Sequence, residues 1–168
     1  MPASFLADLA ADLLAAAYAG LDQTITGNPA PDRVYISHGE PAWDFCDGTG
    51  TLVVFVSPIS HRQIASHAKC WISPTANFCV ELIRCVPSLT DEGSPPPAAD
   101  LTDSAESLLR DIWSLLQAIY EWFGLFDCEM VDVGQAIALG PAGGAAGWRV
   151  CLSMTLSDPD PPNPVVGS

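Results

Sequence analysis

Lysine is nearly missing from this chain. Lys69 stands alone, and with Arg33, Arg62, Arg84, Arg110 and Arg149 it makes six cations against 20 acidic residues, a formal net charge of −14 over 168 residues. No two of the cations lie close enough in sequence to form a basic run. Tight binding to nucleic acid needs several cations placed together on phosphates, so that class of function is not expected. An anionic membrane surface is disfavoured on the same ground. The acidity acts instead by repulsion, keeping the protein soluble and pushing polyanions away.

Long apolar runs are also lacking. No stretch of 18 apolar residues exists, so no transmembrane helix is expected. Residues 1–7 have no basic segment, and Asp8 and Asp12 interrupt the apolar stretch that follows, which argues against a secretory signal. Synthesis in the cytosol, with thiols held mostly reduced, is the expectation. Six cysteines are present (Cys46, Cys70, Cys79, Cys85, Cys128 and Cys151), but no pair has the C-x-x-C spacing of a zinc ribbon or redox motif. The nearest approach to a metal set is His61, His67, Cys70 and Cys79, whose spacing matches no standard frame. The cysteines therefore read as small buried hydrophobes. One or two disulfides formed after release into an oxidising medium are the alternative.

What is present fits one folded unit. The chain is 49% hydrophobic, enough to build a core at this length. Leucines and Tyr18 at three- and four-residue spacing predict a helix over 4–21. Strands are expected at 33–37, 51–57, 75–86, 128–138 and 148–156, and 59–74 reads as an irregular connection. The stretch 38–50 is a turn-rich excursion, 87–99 a Pro-rich loop and 139–147 a flexible hairpin loop. A long helix is predicted over 103–123, opened by a capping box of Asp103 and Glu106 and carrying a stripe of Leu109, Ile112, Leu116, Ile119 and Phe123, widened by Trp113 and Tyr120. On β-type alternation, Phe78, Val80, Leu82 and Val86 share one face of their strand. Trp148, Val150, Leu152, Met154 and Leu156 share one face of theirs, opposite Arg149, Cys151, Ser153 and Thr155. The expected fold is α+β: a mainly antiparallel sheet of about five strands packed on an N-terminal helix and one long helix. Residues 1–157 form a single domain and 158–168 an extended Pro-rich tail.

Motifs for chemistry are weak. Asp44 to Thr49 (DFCDGT) has one residue too many for the D-x-D-G-T signature of haloacid dehalogenase-type phosphatases, which turns the first carboxylate away from the metal and the phosphate. Gly140 to Gly147 lacks the Lys-Ser/Thr of a phosphate-binding loop and precedes a strand, not a helix. The three histidines (His38, His61, His67) have no local partner that marks a Cys–His pair. No catalytic residue, metal ligand or cofactor site is expected. Trp122 lies about 100° from Phe123 around the long helix, so one aromatic is left over for an interface.

Taken together, the Leu/Ala/Asp-rich first helix, the segment from Arg33 to Asp44 (RVYISHGEPAWD), the strand Asn77 to Pro87 (NFCVELIRCVP), the Pro-rich loop, the long helix and the closing Trp148-Arg149-Val150 strand resemble the tail terminator, or tail-completion, proteins of long-tailed bacteriophages of actinobacterial hosts. The resemblance covers nearly the whole chain and is one of layout. It implies a non-enzymatic virion protein at the head–tail junction, made in the host cytoplasm. Six copies would form a ring that caps the last ring of the tail tube protein, stops its growth and offers its other face to the head–tail connector protein. DNA would pass through the lumen without specific binding. Arg84, Arg149, Trp122 and Trp43 are the expected inter-subunit contacts, the two arginines pairing with a neighbour's carboxylates unless they are ordinary surface residues. A connector or adaptor subunit of the neck is the alternative within the structural class. An unrecognised enzyme or a host-directed binding module is the alternative outside it.

Overall fold

The computed structural model describes residues 5–41, 48–66, 69–89, 93–125 and 131–155. Helix α1 (Phe5–Leu21) leads through a 3-10 turn (Pro31–Arg33) into β1 (Val34–Ser37), β2 (Thr51–Ser66) and β3 (Lys69–Cys85); α2 (Ala98–Phe123) follows, then β4 (Val131–Ala142) and β5 (Ala145–Thr155). The strands form one sheet in the order β1-β2-β3-β5-β4. The fold is α+β, with a mostly antiparallel five-stranded sheet and two helices. Among the described strands only β1 and β2 run parallel, which the 38–50 excursion permits, since a parallel pair needs a crossover of about a dozen residues.

Alternation sorts the sheet into two faces. Leu52 and Val54 of β2, Phe78, Val80 and Leu82 of β3, and Val150, Leu152 and Met154 of β5 are buried on one face. There they pack against Leu9, Leu13, Ala17 and Leu21 of α1 and Ile112, Leu115, Ile119 and Trp122 of α2. The helices touch each other as closely as the sheet: a Cβ on Gly20 would lie 2.6 Å from the Ala118 methyl. The opposite face holds a smaller cluster of Val53, Phe55 and Cys79.

Four expectations change. The segment 59–74 is not irregular, because β2 and β3 continue into it as a paired ribbon from Ser60↔Thr75 to Ser66↔Lys69, past a bulge after Ser57. The capping box is not used. α2 begins five residues earlier, with Pro97 as N-cap and no side-chain cap, so Asp103 and Glu106 lie in its second and third turns. The stretch 139–147 is not a loose loop: strand runs to Ala142 and resumes at Ala145, with Gly143 (φ 58°) and Gly144 (φ 76°) as a two-residue turn that side-chain-bearing residues would strain. The buried face of α2 is turned from the expected stripe. Leu109 is 58% exposed and Trp113 65%, whereas Trp122 is 6% exposed. The tail 158–168 lies outside the described residues.

Candidate functional site

The outer face of the sheet, away from the helices, gathers the polar chemistry. Register sets Glu81 opposite Arg149, and Cys79 opposite Cys151, on neighbouring strands β3 and β5. Glu81 is 1% exposed; its Oε2 accepts a hydrogen bond from Nε of Arg149 at 2.7 Å and forms an ion pair with Nη2 at 2.7 Å. Nη2 also donates to the exposed carboxylate of Glu40. The guanidinium carbon lies 5.3 Å from the centre of the Phe55 ring, within cation–π range. Burial works against the charge on Arg149, but the bonds to Glu40 and Glu81, with their Coulombic attraction, outweigh it and raise the pKa above the usual arginine value. A raised arginine pKa contributes stability that is fully present below the unfolded value and lost only as pH climbs past the folded one, so this pair adds no pH dependence through Arg149 near neutrality.

Cys79 and Cys151 are joined in a disulfide that ties β3 to β5, and Cys85 is disulfide-bonded as well. The reading of free, buried thiols is corrected here: the two strands' alternation and register bring the sulfurs face to face. An unreduced tryptic digest should yield peptide 70–84 linked to the peptide that begins at Val150, and reduction before digestion should abolish that species in the mass spectrum. The spacing-based metal set fails for a further reason. Cys79 is spent in the disulfide, and Cys70 lies nine residues along the same strand, roughly 30 Å away. His67 is outside the described residues. Among the described residues no group of three or more His, Cys, Asp or Glu converges to hold a metal ion.

A cleft of about 1140 Å³ opens beside this face, lined by Phe55, Cys79, Arg149 and Cys151, by Ile36, His38 and Glu40 from β1 and its exit, and by Leu6, Ala7 and Ala10 from α1. As arranged, its polar groups brace strands: the thiols are paired and the buried carboxylate is neutralised.

The expected inter-subunit residues separate. Arg84 is 3% exposed and fully engaged within its own chain. Its Nε donates to Asp111 Oδ2 at 2.8 Å, Nη1 to the Thr49 carbonyl at 2.6 Å and Nη2 to the Gly27 carbonyl at 2.7 Å. It bolts β3 to α2 and to two loops, and a neighbour's carboxylate has no access to it. Trp122 is a core residue, because its position belongs to the buried 112–115–119–122 face. Arg149 is spoken for by Glu81 and Glu40. Trp43 lies outside the described residues. The exposed aromatics of α2 are Trp113 and Tyr120. Trp113 and Leu109 line a groove of about 530 Å³ with Ile25, beside Glu106.

Sequence reasoning missed Glu81 and Asp111, the buried carboxylates that pair with Arg149 and Arg84. Glu81 carried a usable signal: it and Arg149 both fall on the less apolar side of their strands, and the correct register alone would have paired them. Among the described residues no helix is long and apolar enough to cross a membrane. A scan against protein-family models finds no match to this chain, and a search of curated proteins finds none either.

Proposed function

We propose that this chain is a structural virion protein, a tail terminator whose copies close into a ring on the tail tube, halt its polymerisation and join it to the head connector. The observation that carries the reading is the uneven charge of one folded unit. A net charge of −14 is spread over a small α+β body, while residues 48–80, which include the β2–β3 ribbon, contain no Asp or Glu and carry Arg62 and Lys69. Such a molecule offers an acidic surface and a basic element on the same copy. That is the arrangement a head-to-tail, ring-closing contact uses, because each copy presents two different patches to two neighbours.

The remaining acidity suits the lumen. Six copies at −14 each carry a formal charge of −84, and a negative wall lets DNA slide through without sticking. The braced outer face suits a part that works by shape: an ion pair and a disulfide lock β3 to β5 and resist shear between them. A protein exported in a particle meets an oxidising medium, where such a disulfide persists.

Deletion of the gene from the phage that carries it tests the reading by electron microscopy. Tails of irregular, excessive length beside tailless heads are expected. Tails of normal length that fail to attach would make the protein a connector instead. Normal particles would remove it from the junction altogether.

A further inference from the structure

The Cys79–Cys151 bridge joins two strands that are already paired along their length. β3 and β5 run without a register shift from Thr75↔Thr155 to Cys85↔Ala145, and the bridge connects one of those pairs. The pairs on either side of it, Phe78↔Leu152 and Val80↔Val150, point inward and are buried in the main core. The two cysteines lie on the opposite face, with Val53 and Phe55. Opening the bridge therefore removes no contact of the main core and breaks no bond of the backbone ladder. The ladder also keeps the two sulfurs opposite one another whether or not they are joined, which makes closure an intramolecular step between positioned groups.

Both cysteines also line the cleft of about 1140 Å³. Cys151 is half-buried there, whereas Cys79 is 4% exposed. An incoming thiolate thus meets Cys151 first. The surroundings set what can enter. Leu6, Ile36 and Val56 make much of the cleft wall apolar. The charged groups beside it are two carboxylates, Glu40 and Glu81, held on the one guanidinium of Arg149. That cluster is net negative, and the whole chain carries −14. An anionic thiol is therefore repelled, and a small uncharged one is not.

We propose that this bridge is a site of thiol–disulfide exchange in the folded protein, opened and reclosed by small uncharged thiols that enter the cleft and attack Cys151. The sulfur of the incoming thiolate bonds to Cys151 Sγ as the Cys79–Cys151 bond breaks, and Cys79 leaves as a thiolate. A second thiolate then attacks the small molecule's sulfur in this mixed disulfide and releases Cys151 as a thiolate. Two small thiols are oxidised to one small disulfide, and their two electrons and two protons pass to the cysteines. The reverse sequence, starting from the small disulfide, closes the bridge again. The bridge thus follows the thiol–disulfide balance around the protein and is not fixed at folding. The virion reading neither supplies this chemistry nor depends on it.

The test treats the full chain, bridge closed, with increasing β-mercaptoethanol, quenches with iodoacetamide and maps the tryptic peptides. Cys151 is the only cysteine of the peptide that begins at Val150, so its alkylation reports this bridge, and Cys85, also bonded, falls in a different peptide. The opening rate should rise in proportion to thiol concentration without a plateau, and urea below the unfolding transition should leave it unchanged. The far-UV circular dichroism spectrum should persist through opening. Mercaptoethanesulfonate, a similar thiol with a negative charge, should act at least threefold more slowly, and 1 M salt should narrow the gap, since screening then acts within about 3 Å. Transfer to hydroxyethyl disulfide should restore the linked pair of peptide 70–84 and the Val150 peptide. A rate that levels off with thiol and climbs with urea would mean that only unfolded chains are reduced, and it overturns the proposal. So does loss of the spectrum on opening, which would make the bridge a staple the fold requires. Equal rates for the two thiols remove the cleft as the route. The attacked sulfur is checked with single variants and hydroxyethyl disulfide: C79S should take the adduct at Cys151, and C151S should take it at Cys79 at least tenfold more slowly. Equal or reversed rates overturn the assignment to Cys151.

Discussion

Replacing Arg84 with methionine should destabilise the chain by about 3–5 kcal/mol, the range for removing one member of a buried, hydrogen-bonded charge pair. The large value has a structural cause. Arg84 and Asp111 are 3% and 1% exposed, so the variant leaves a carboxylate in the core with no cation beside it. It also leaves the carbonyls of Thr49 and Gly27, which accept from Nη1 and Nη2, without those donors. An urea titration should show the midpoint fall with little change in slope. The double variant R84M/D111L should recover only part of the loss. It removes the stranded carboxylate, but the loops before β2 and after α1 still lose the guanidinium that holds them together. Full recovery in the double variant would mean that the two carbonyl bonds contribute nothing, and a loss under about 1 kcal/mol in R84M would remove Arg84 as the bolt of the fold.

That bolt explains why the phase of α2 was hard to read. Counting apolar residues favours a face through Leu109, Ile112, Leu116 and Phe123, and the face the helix buries includes Asp111. A carboxylate on the inner stripe is a reason to reject that phase until a partner is known. The partner, Arg84, stands 27 residues away on β3, and nothing in local periodicity connects the two. Once Asp111 is accepted inside, Ile112, Leu115, Ile119 and Trp122 follow at helical spacing, and Trp122 passes from expected interface to core. The start of α2 was missed for a related reason. Asp103 and Glu106 have the spacing of a cap, but Ala98 to Thr102 are good enough helix formers to continue the helix back to Pro97.

Strands were legible where one face is strongly apolar. β3 and β5 alternate clearly, and their inner residues (Phe78, Val80, Leu82, Val150, Leu152) are all buried. The ribbon was not legible, because 58–74 contains two prolines, three serines and no apolar alternation to bury. Its pairing comes from continuity with β2 and β3, not from its own pattern.

The second large effect separates the two paired arginines. Arg149→Met alone should cost about 3 kcal/mol or more, because Glu81, 1% exposed, loses the cation that faces it across the sheet. Glu81→Leu alone should cost less, since Arg149, its side chain 20% exposed, keeps the exposed Glu40 carboxylate and the face of Phe55. The double variant E81L/R149M should return to within about 1 kcal/mol of wild type, because here both members of the ion pair are replaced by apolar groups. The double-mutant cycle by urea unfolding therefore gives a large coupling and a small net cost at this pair. At Arg84 the coupling accompanies a net cost that persists. The difference follows from what each guanidinium touches. Among the described residues Arg149 meets side chains, and it acts on register, selecting which residues of β3 and β5 lie opposite one another. Arg84 meets two loop carbonyls and holds the termini of strands and helix to a common point. If E81L/R149M remained as unstable as R149M, Arg149 would have to be credited with a second, independent attachment, and the division between a register-setting pair and a structural bolt would fail.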